Sequence, residues 1–205
     1  MKERFDFEER VSQSIQASIA VKQRLLASAE IISMVAKASE IVVDALNQGN
    51  KLLLFGNGGS AADAQHIAAE FVGRFALDRP ALPALALSEN SSSLTAIGND
   101  YGFDSVFSRQ VEAVGRMGDV AIGISTSGNS PNVFKAMSAA KKIGLQTIAF
   151  TGCHGGELAR AVDHCIFVPS NETARIQECH ILIGHILSDL VERTIFNEQS
   201  CVSGS

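Results

Sequence analysis

Tryptophan is absent from this chain and tyrosine occurs once in 205 residues. Without large aromatic faces, the base stacking that single-stranded nucleic-acid binders rely on is excluded. A basic excess is missing too. Lys and Arg number 17 against 22 Asp and Glu, for a net charge of -5. That argues against a protein that tracks a phosphate backbone, and no nucleic-acid partner is expected. No apolar run is long enough to span a bilayer. The start Met1-Lys2-Glu3-Arg4-Phe5-Asp6 lacks the apolar core of a signal peptide. The expectation is a cytoplasmic protein with no membrane partner. Cysteine is sparse: Cys153, Cys165, Cys179 and Cys201 show no C-x-x-C spacing and read as reduced thiols. Charge is also modest, 19% against 46% hydrophobic residues, which allows a sizeable core and excludes disorder.

Proline and glycine are missing from about residue 5 to 48, where Val11, Ile15 and Ile19 recur at helical spacing, as do Ile31, Val35, Ile41 and Val42. Two helices are expected, with a break near Ala27 to Glu30 and Gly49 as the closing cap. Their apolar stripes serve plain core packing or, in part, another subunit. From Lys51 the pattern alternates. Short apolar runs at Lys51–Phe55, Leu82–Leu87, Val120–Ile124, Gln146–Phe150 and Cys165–Val168 read as strands. Helical stretches lie between them at Ala61–Arg74, Ser105–Val114, Ser130–Ile143 and Gly156–Ala161, and Glu172–Phe196 closes the chain. Such alternation predicts an α/β fold, a doubly wound five-stranded parallel sheet sandwiched by helices, with an N-terminal helical extension. Residues 1–49 form the extension, 50–197 the sheet domain and 198–205 a flexible tail.

Ligands of such sheets bind beyond the carboxyl ends of the strands. Two special loops lie there, Gly56-Asn57-Gly58-Gly59-Ser60 and Ser125-Thr126-Ser127-Gly128-Asn129-Ser130-Pro131, and Gly98-Asn99-Asp100 is expected with them. The first also fits the dinucleotide pattern G-x-G-x-x-A. The acidic residue that pattern needs is Glu89, about thirty residues on, where about 20 are wanted. The glycines serve equally for close backbone approach to a sugar, or for a tight turn with no ligand. The second loop is more specific. Four hydroxyls, a Ser130 N-cap and Pro131 at the first helical position suit a phosphate monoester. An ordinary N-cap would explain Ser130 alone.

His66 and Glu70 share a helix face four residues apart, among Ala61, Ala62, Ala64, Ala68 and Ala69. Alone, such a pair is more often a surface contact than a site. Among small side chains, His66 suits a metal ligand and Glu70 a ligand or a base. On the last helix, Gln177 and His185 fall on one broad face, whereas His180 points elsewhere. Spacing does not choose between the two histidines, and a core or surface imidazole is the default for each. His154 and His164 also read as ordinary. Arg74, Arg79 and Arg175 are phosphate candidates that surface positions explain equally well.

These pieces together resemble the sugar isomerase (SIS) domain family and, more closely, the bacterial phosphoheptose isomerases. The resemblance rests on GNGGSAADAQHIAAEF at 56–71, AIGNDYGF at 96–103, GDVAIGISTSGNSPNV at 118–133 and ARIQECHILIGHI at 174–186. It covers nearly the whole chain. It implies an aldose–ketose isomerase that converts D-sedoheptulose 7-phosphate to D-glycero-D-manno-heptose 7-phosphate through an enediol. This reaction is the first step toward ADP-heptose and the lipopolysaccharide core. It implies a homotetramer in which the N-terminal helices also pack on neighbouring subunits, with one Zn2+ per subunit. Carried over by motif, the metal ligands are His66, Glu70, Gln177 and His185, with Glu70 and His185 as base and acid. The substrate contacts are Asn57, Gly58, Gly59, Glu70, Asn99, Asp100, Ser125, Thr126, Ser127, Ser130 and Gln177. The resemblance selects His185 over His180. Some relatives carry Asp where this chain has Ala174. An alternative within the superfamily is a non-catalytic binding protein that engages the replication initiator. That type lacks the equivalents of Glu70 and His185, which favours the enzyme.

Overall fold

The computed structural model describes residues 6–197. The expected tail, 198–205 with Cys201, lies outside the described residues. The first two helices, α1 (Phe7–Ala27) and α2 (Ala29–Asn47), break at Ser28, whose hydroxyl accepts from Ile31 N and caps α2. Asp6 caps α1 by accepting from Glu8 and Glu9 N–H. Gly49, at φ 79, follows α2 as expected.

The core is five parallel strands: β1 (Leu52–Gly56), β2 (Ala84–Ala86), β3 (Val120–Ser125), β4 (Gln146–Thr151) and β5 (His164–Phe167), in the order β2-β1-β3-β4-β5. Every residue of β1 and β3 is buried, because helices cover both faces. Leu52, Leu54, Ile122, Ile124 and Ile148 pack under α2, α3 (Gly59–Val72) and α8 (Thr173–Asn197). Leu53, Phe55, Ala121 and Ala149 face α5 (Ser108–Val114), α6 (Pro131–Ile143) and α7 (Leu158–Ala161). Chain direction along the sheet reverses between β1 and β3. That switch point opens a crevice at their carboxyl ends, and both special loops leave the sheet there.

Three elements depart from the sequence reading. Gly98-Asn99-Asp100 does not end a strand. It lies in the last turns of α4 (Ser91–Tyr101), which begins at Asn90, whose side chain caps Ser93 N–H. The segment expected as one helix over Ser105–Val114 is a 3-10 turn, Phe103–Ser105, followed by α5. The stretch Gly156–Ala161 yields only the single turn of α7, because Gly155 and Gly156 both take positive φ.

Candidate active site

Loop one leaves β1 at Gly56 and starts α3 at Gly59, with Gly58 at φ 56 as its cap residue. Loop two leaves β3 at Ser125. The Ser125 hydroxyl lies 2.9 Å from Ser130 Oγ and 3.5 Å from Ser127 Oγ, and it accepts from Gly128 N–H. Ser130 precedes Pro131 as expected, yet its hydroxyl makes no cap bond to α6 and turns to Ser125 instead. Three hydroxyls thus gather at the positive end of a 13-residue helix, a setting that favours an anion. The two loops are joined. Asn57 Nδ2 donates to Asn132 Oδ1, and Asn132 Nδ2 donates back to Asn57 Oδ1, both at 2.8 Å. Asn132 is buried and had no local signature in the sequence.

Beside loop two, a cavity of about 290 Å³ opens over the carboxyl ends of β3, β4 and β5. Thr126, Ser127 and Asn129 line one side, and Gly152, Asn171 and Thr173 another. None of its lining residues is acidic or a Lys or Arg.

The second half of the site is the seam between α3 and α8. Gly59 meets Gln177, Ile67 meets Gly184 and His66 meets His185, so the helices run in one direction with constant register. Glycine permits this approach. A Cβ on Gly59 would stand 2.5 Å from Gln177 Nε2, and one on Gly184 would collide with Ile67. Midway along the seam three side chains converge. His66 Nε2 lies 3.0 Å from His185 Nε2 and 3.1 Å from Glu70 Oε1, and one donor atom of each residue lies within 4.8 Å of the others. A single N–H serves one such acceptor well, whereas a cation serves all the lone pairs together. Donors about 2.0–2.1 Å from a tetrahedral zinc stand about 3.3 Å apart, close to the observed spacing. The side chains therefore fit such an ion. Gln177 enters the same seam about 12 Å nearer the helix starts, against Gly59 rather than beside the imidazoles.

The seam is locked beyond His185. Glu192 of α8, only 1% exposed, accepts from Phe75, Ala76 and Leu77 N–H at 2.7–2.9 Å and from Arg79 Nε at 2.8 Å. Burial alone would raise its carboxyl. The three N–H groups and the guanidinium outweigh burial and hold it at about 2. Arg79 is therefore no surface phosphate ligand. Its other nitrogens donate to the carbonyls of Glu70, Phe71 and Pro80. Arg175 is also structural, donating to Ser14 O and pairing with Glu178, whereas Arg74 is exposed.

The remaining candidates separate cleanly. His180 is fully buried, 3.2 Å from Thr151 O, and burial lowers its pKa to about 4. It is a core imidazole. Asn99 donates to Asp100 at 2.8 Å, and both are exposed on α4. Asp63, which the sequence reading passed over, lies one turn before His66. Burial pushes its carboxyl up to about 6 against the nearby imidazole, and Oδ2 has no partner among the described residues.

Residues 16–152 match the SIS domain family. The phosphoheptose isomerase of Aneurinibacillus thermoaerophilus is 53% identical over 189 residues, covering 92% of this chain and 96% of that one. That of Roseiflexus sp. is 55% identical over 188 residues, covering 92% and 94%. Among solved structures, the phosphoheptose isomerase of Neisseria gonorrhoeae superposes with a TM-score of 0.86 at 46% identity, over 91% of this chain and 99% of that one. That of Francisella tularensis gives 0.88 at 35%, over 92% and 100%. With its serine loop at the sheet's switch point and its His–Glu–His cluster on the seam beside it, the chain belongs to the SIS-domain family, among the phosphoheptose isomerases.

Proposed function

We propose that this enzyme converts D-sedoheptulose 7-phosphate to D-glycero-D-manno-heptose 7-phosphate, the entry reaction toward ADP-heptose and the lipopolysaccharide core. The observation that carries the reading is the convergence of His66, Glu70 and His185 on the seam, in a chain more than half identical to phosphoheptose isomerases.

In this reading the phosphate sits on the hydroxyls of Ser125, Ser127 and Ser130, with Thr126 alongside. Asn57, Gly58 and Gly59 face the sugar, and Asn99 and Asp100 contribute from α4. Glu70 removes a proton from the hydroxymethyl carbon C1, and the electron pair moves through the C1–C2 bond to the carbonyl oxygen. His185 donates to that oxygen, giving the enediol. Collapse from the C1 hydroxyl returns a proton to C2 and leaves the aldehyde at C1, so the atoms balance without a redox partner. Zn2+ would be held by His66, Glu70 and His185, while Gln177, against Gly59, is left to the sugar. As a Lewis acid it would polarise the substrate oxygens.

We also infer a cytoplasmic homotetramer without nucleic-acid or membrane partners. Val11, Ile15 and Ile19 form an exposed apolar stripe on α1. A groove lined by Leu25, Leu26, Ile32, Leu182, Ile186 and Leu190 runs along α1, α2 and α8. Apolar area of this kind suits a neighbouring subunit. The extension 1–49, through its described residues 6–49, then packs both on the core and between protomers, and 50–197 forms the SIS unit. No described helix is long and apolar enough to cross a membrane.

The test is turnover of sedoheptulose 7-phosphate by the purified protein, beside five- and six-carbon ketose phosphates. The heptulose should give the highest kcat/KM. No turnover of any of them would move the reading to the initiator-binding alternative.

A further inference from the structure

The loop after α3 makes more contacts than a connection requires. Between Gly73 and Pro80 the chain has no regular structure, yet three successive N–H groups converge on one carboxylate. That carboxylate, Glu192, stands two turns beyond His185 on α8. Arg79 completes the knot. Its Nε bonds Glu192, one terminal nitrogen bonds Glu70 O at 2.7 Å, and the other bonds Phe71 O at 2.8 Å and Pro80 O at 3.0 Å. The guanidinium thus takes up carbonyls from the last turn of α3, the turn that carries Glu70. Both side chains are at most 2% exposed. The same loop carries Phe75, whose ring centroid lies 5.7 Å from that of His185.

We propose that the Arg79–Glu192 pair is a positioning clamp for the His66–Glu70–His185 cluster. It fixes the end of α3 against α8 and sets Phe75 beside the His185 ring, so that donor atoms from two helices meet at a spacing an ion can use. The clamp rests on the reading of that cluster as a metal site. Ligand-orienting partners of this kind commonly control metal affinity by 10–100-fold. Arg cannot be replaced by Lys here. A point ammonium retains the charge but cannot reach a carboxylate and three carbonyls in one plane.

A purely structural salt bridge would affect folding and leave the cluster alone, and the molecule supplies a control. Lys51 Nζ and Asp119 Oδ2, 2.5 Å apart, form a second shielded pair where β1 and β3 begin, with no hydrogen bond to α3 or α8. The experiment measures zinc affinity of metal-stripped protein by competition with a chromophoric chelator, together with Tm, kcat and KM. It compares wild type, Arg79→Lys, Phe75→Ala and the control Asp119→Asn. The clamp predicts about 10–100-fold weaker zinc binding in Arg79→Lys. It also predicts a smaller loss in Phe75→Ala, and in both variants a fall in kcat at nearly constant KM. Asp119→Asn should lose Tm and retain wild-type zinc affinity. Arg79→Lys that loses Tm but keeps its zinc affinity, with Phe75→Ala unchanged as well, overturns the proposal. If Arg79→Lys fails to fold, Phe75→Ala decides alone, since Phe75 is only half-buried. Wild type without saturable zinc binding removes the metal reading and the clamp together. Its turnover, read in the same samples, then shows whether the isomerase reading stands by itself.

Discussion

Two shielded ion pairs lie toward the amino end of the sheet, and they differ in what they hold. In one, Asp119 accepts from Lys51 N, Lys51 Nζ and Arg116 N, joining the segments that enter β1 and β3. Its partners lie on the segments leading into those strands, and Lys51 still reaches water at 21% exposure. At the other pair nothing reaches water. Arg79 and Glu192 spend their bonds on the end of α3, on an irregular loop and on α8, the three pieces around His66, Glu70 and His185. Equivalent chemistry thus secures the scaffold in one place and a site in the other. The hydroxyls and glycines of the two special loops gather where β1 and β3 end, and the imidazoles follow farther back along the α3–α8 seam.

The largest effect that would sharpen this contrast is at the cluster itself. Glu70→Gln should lower turnover by about 10²–10⁴-fold, the range for a proton-transfer group, with Tm close to wild type. Retained turnover would remove Glu70 from the chemistry. Next comes Glu192→Gln. Removing one partner of a buried pair costs about 3–5 kcal/mol, readable in urea unfolding.

The same residue sets an acid limit. Its folded pKa of about 2 lies below the carboxylate's ordinary value. Its contribution is therefore complete above about pH 4.3 and is lost as pH falls toward 2, roughly 3 kcal/mol in all. The slope of stability against pH in that window should flatten in Glu192→Gln. An unchanged slope would assign the acid sensitivity to other groups.

Smaller effects belong to the serine loop. Replacing Ser127 and Ser130 together by Ala should raise KM about ten-fold or more, with less change in kcat, since hydrogen bonds to a charged group are worth about 1.5–3 kcal/mol each. An unchanged KM would move the phosphate elsewhere. The smallest is expected at the Lys51–Asp119 pair. Asp119→Asn should leave kcat and KM at wild-type values while lowering Tm. A kinetic defect there would erase the distinction between the two pairs.

How much of this was written in the sequence depends on range. Strands buried on both faces announce themselves as apolar runs such as Leu52-Leu53-Leu54-Phe55, and four of the five appear within a residue or two of their expected bounds. The edge strand β2 is shorter than its run, since Pro83 leaves only Ala84–Ala86 paired. The helix α4 escaped notice because Asn90 and three serines read as a loop and Gly98 weakens the pattern. The His66–Glu70 pair is local, four residues on one helix. His185 and Gln177 could be chosen only through resemblance, because a helix face says nothing of what packs against it. Asn57 with Asn132, and Arg79 with Glu192, are 75 and 113 residues apart. Their polar side chains carry no periodic signal, and folding alone brings them together.

The central claim is that the seam between α3 and α8 is a metal-dependent isomerisation site. Its most direct test is conversion of sedoheptulose 7-phosphate by wild-type protein before and after metal stripping, with zinc added back and Glu70→Gln measured beside it. Turnover that vanishes on stripping, returns with zinc and is missing from the Glu70→Gln variant is the predicted result. Full turnover by stripped protein, or none by zinc-loaded wild type, would contradict the account.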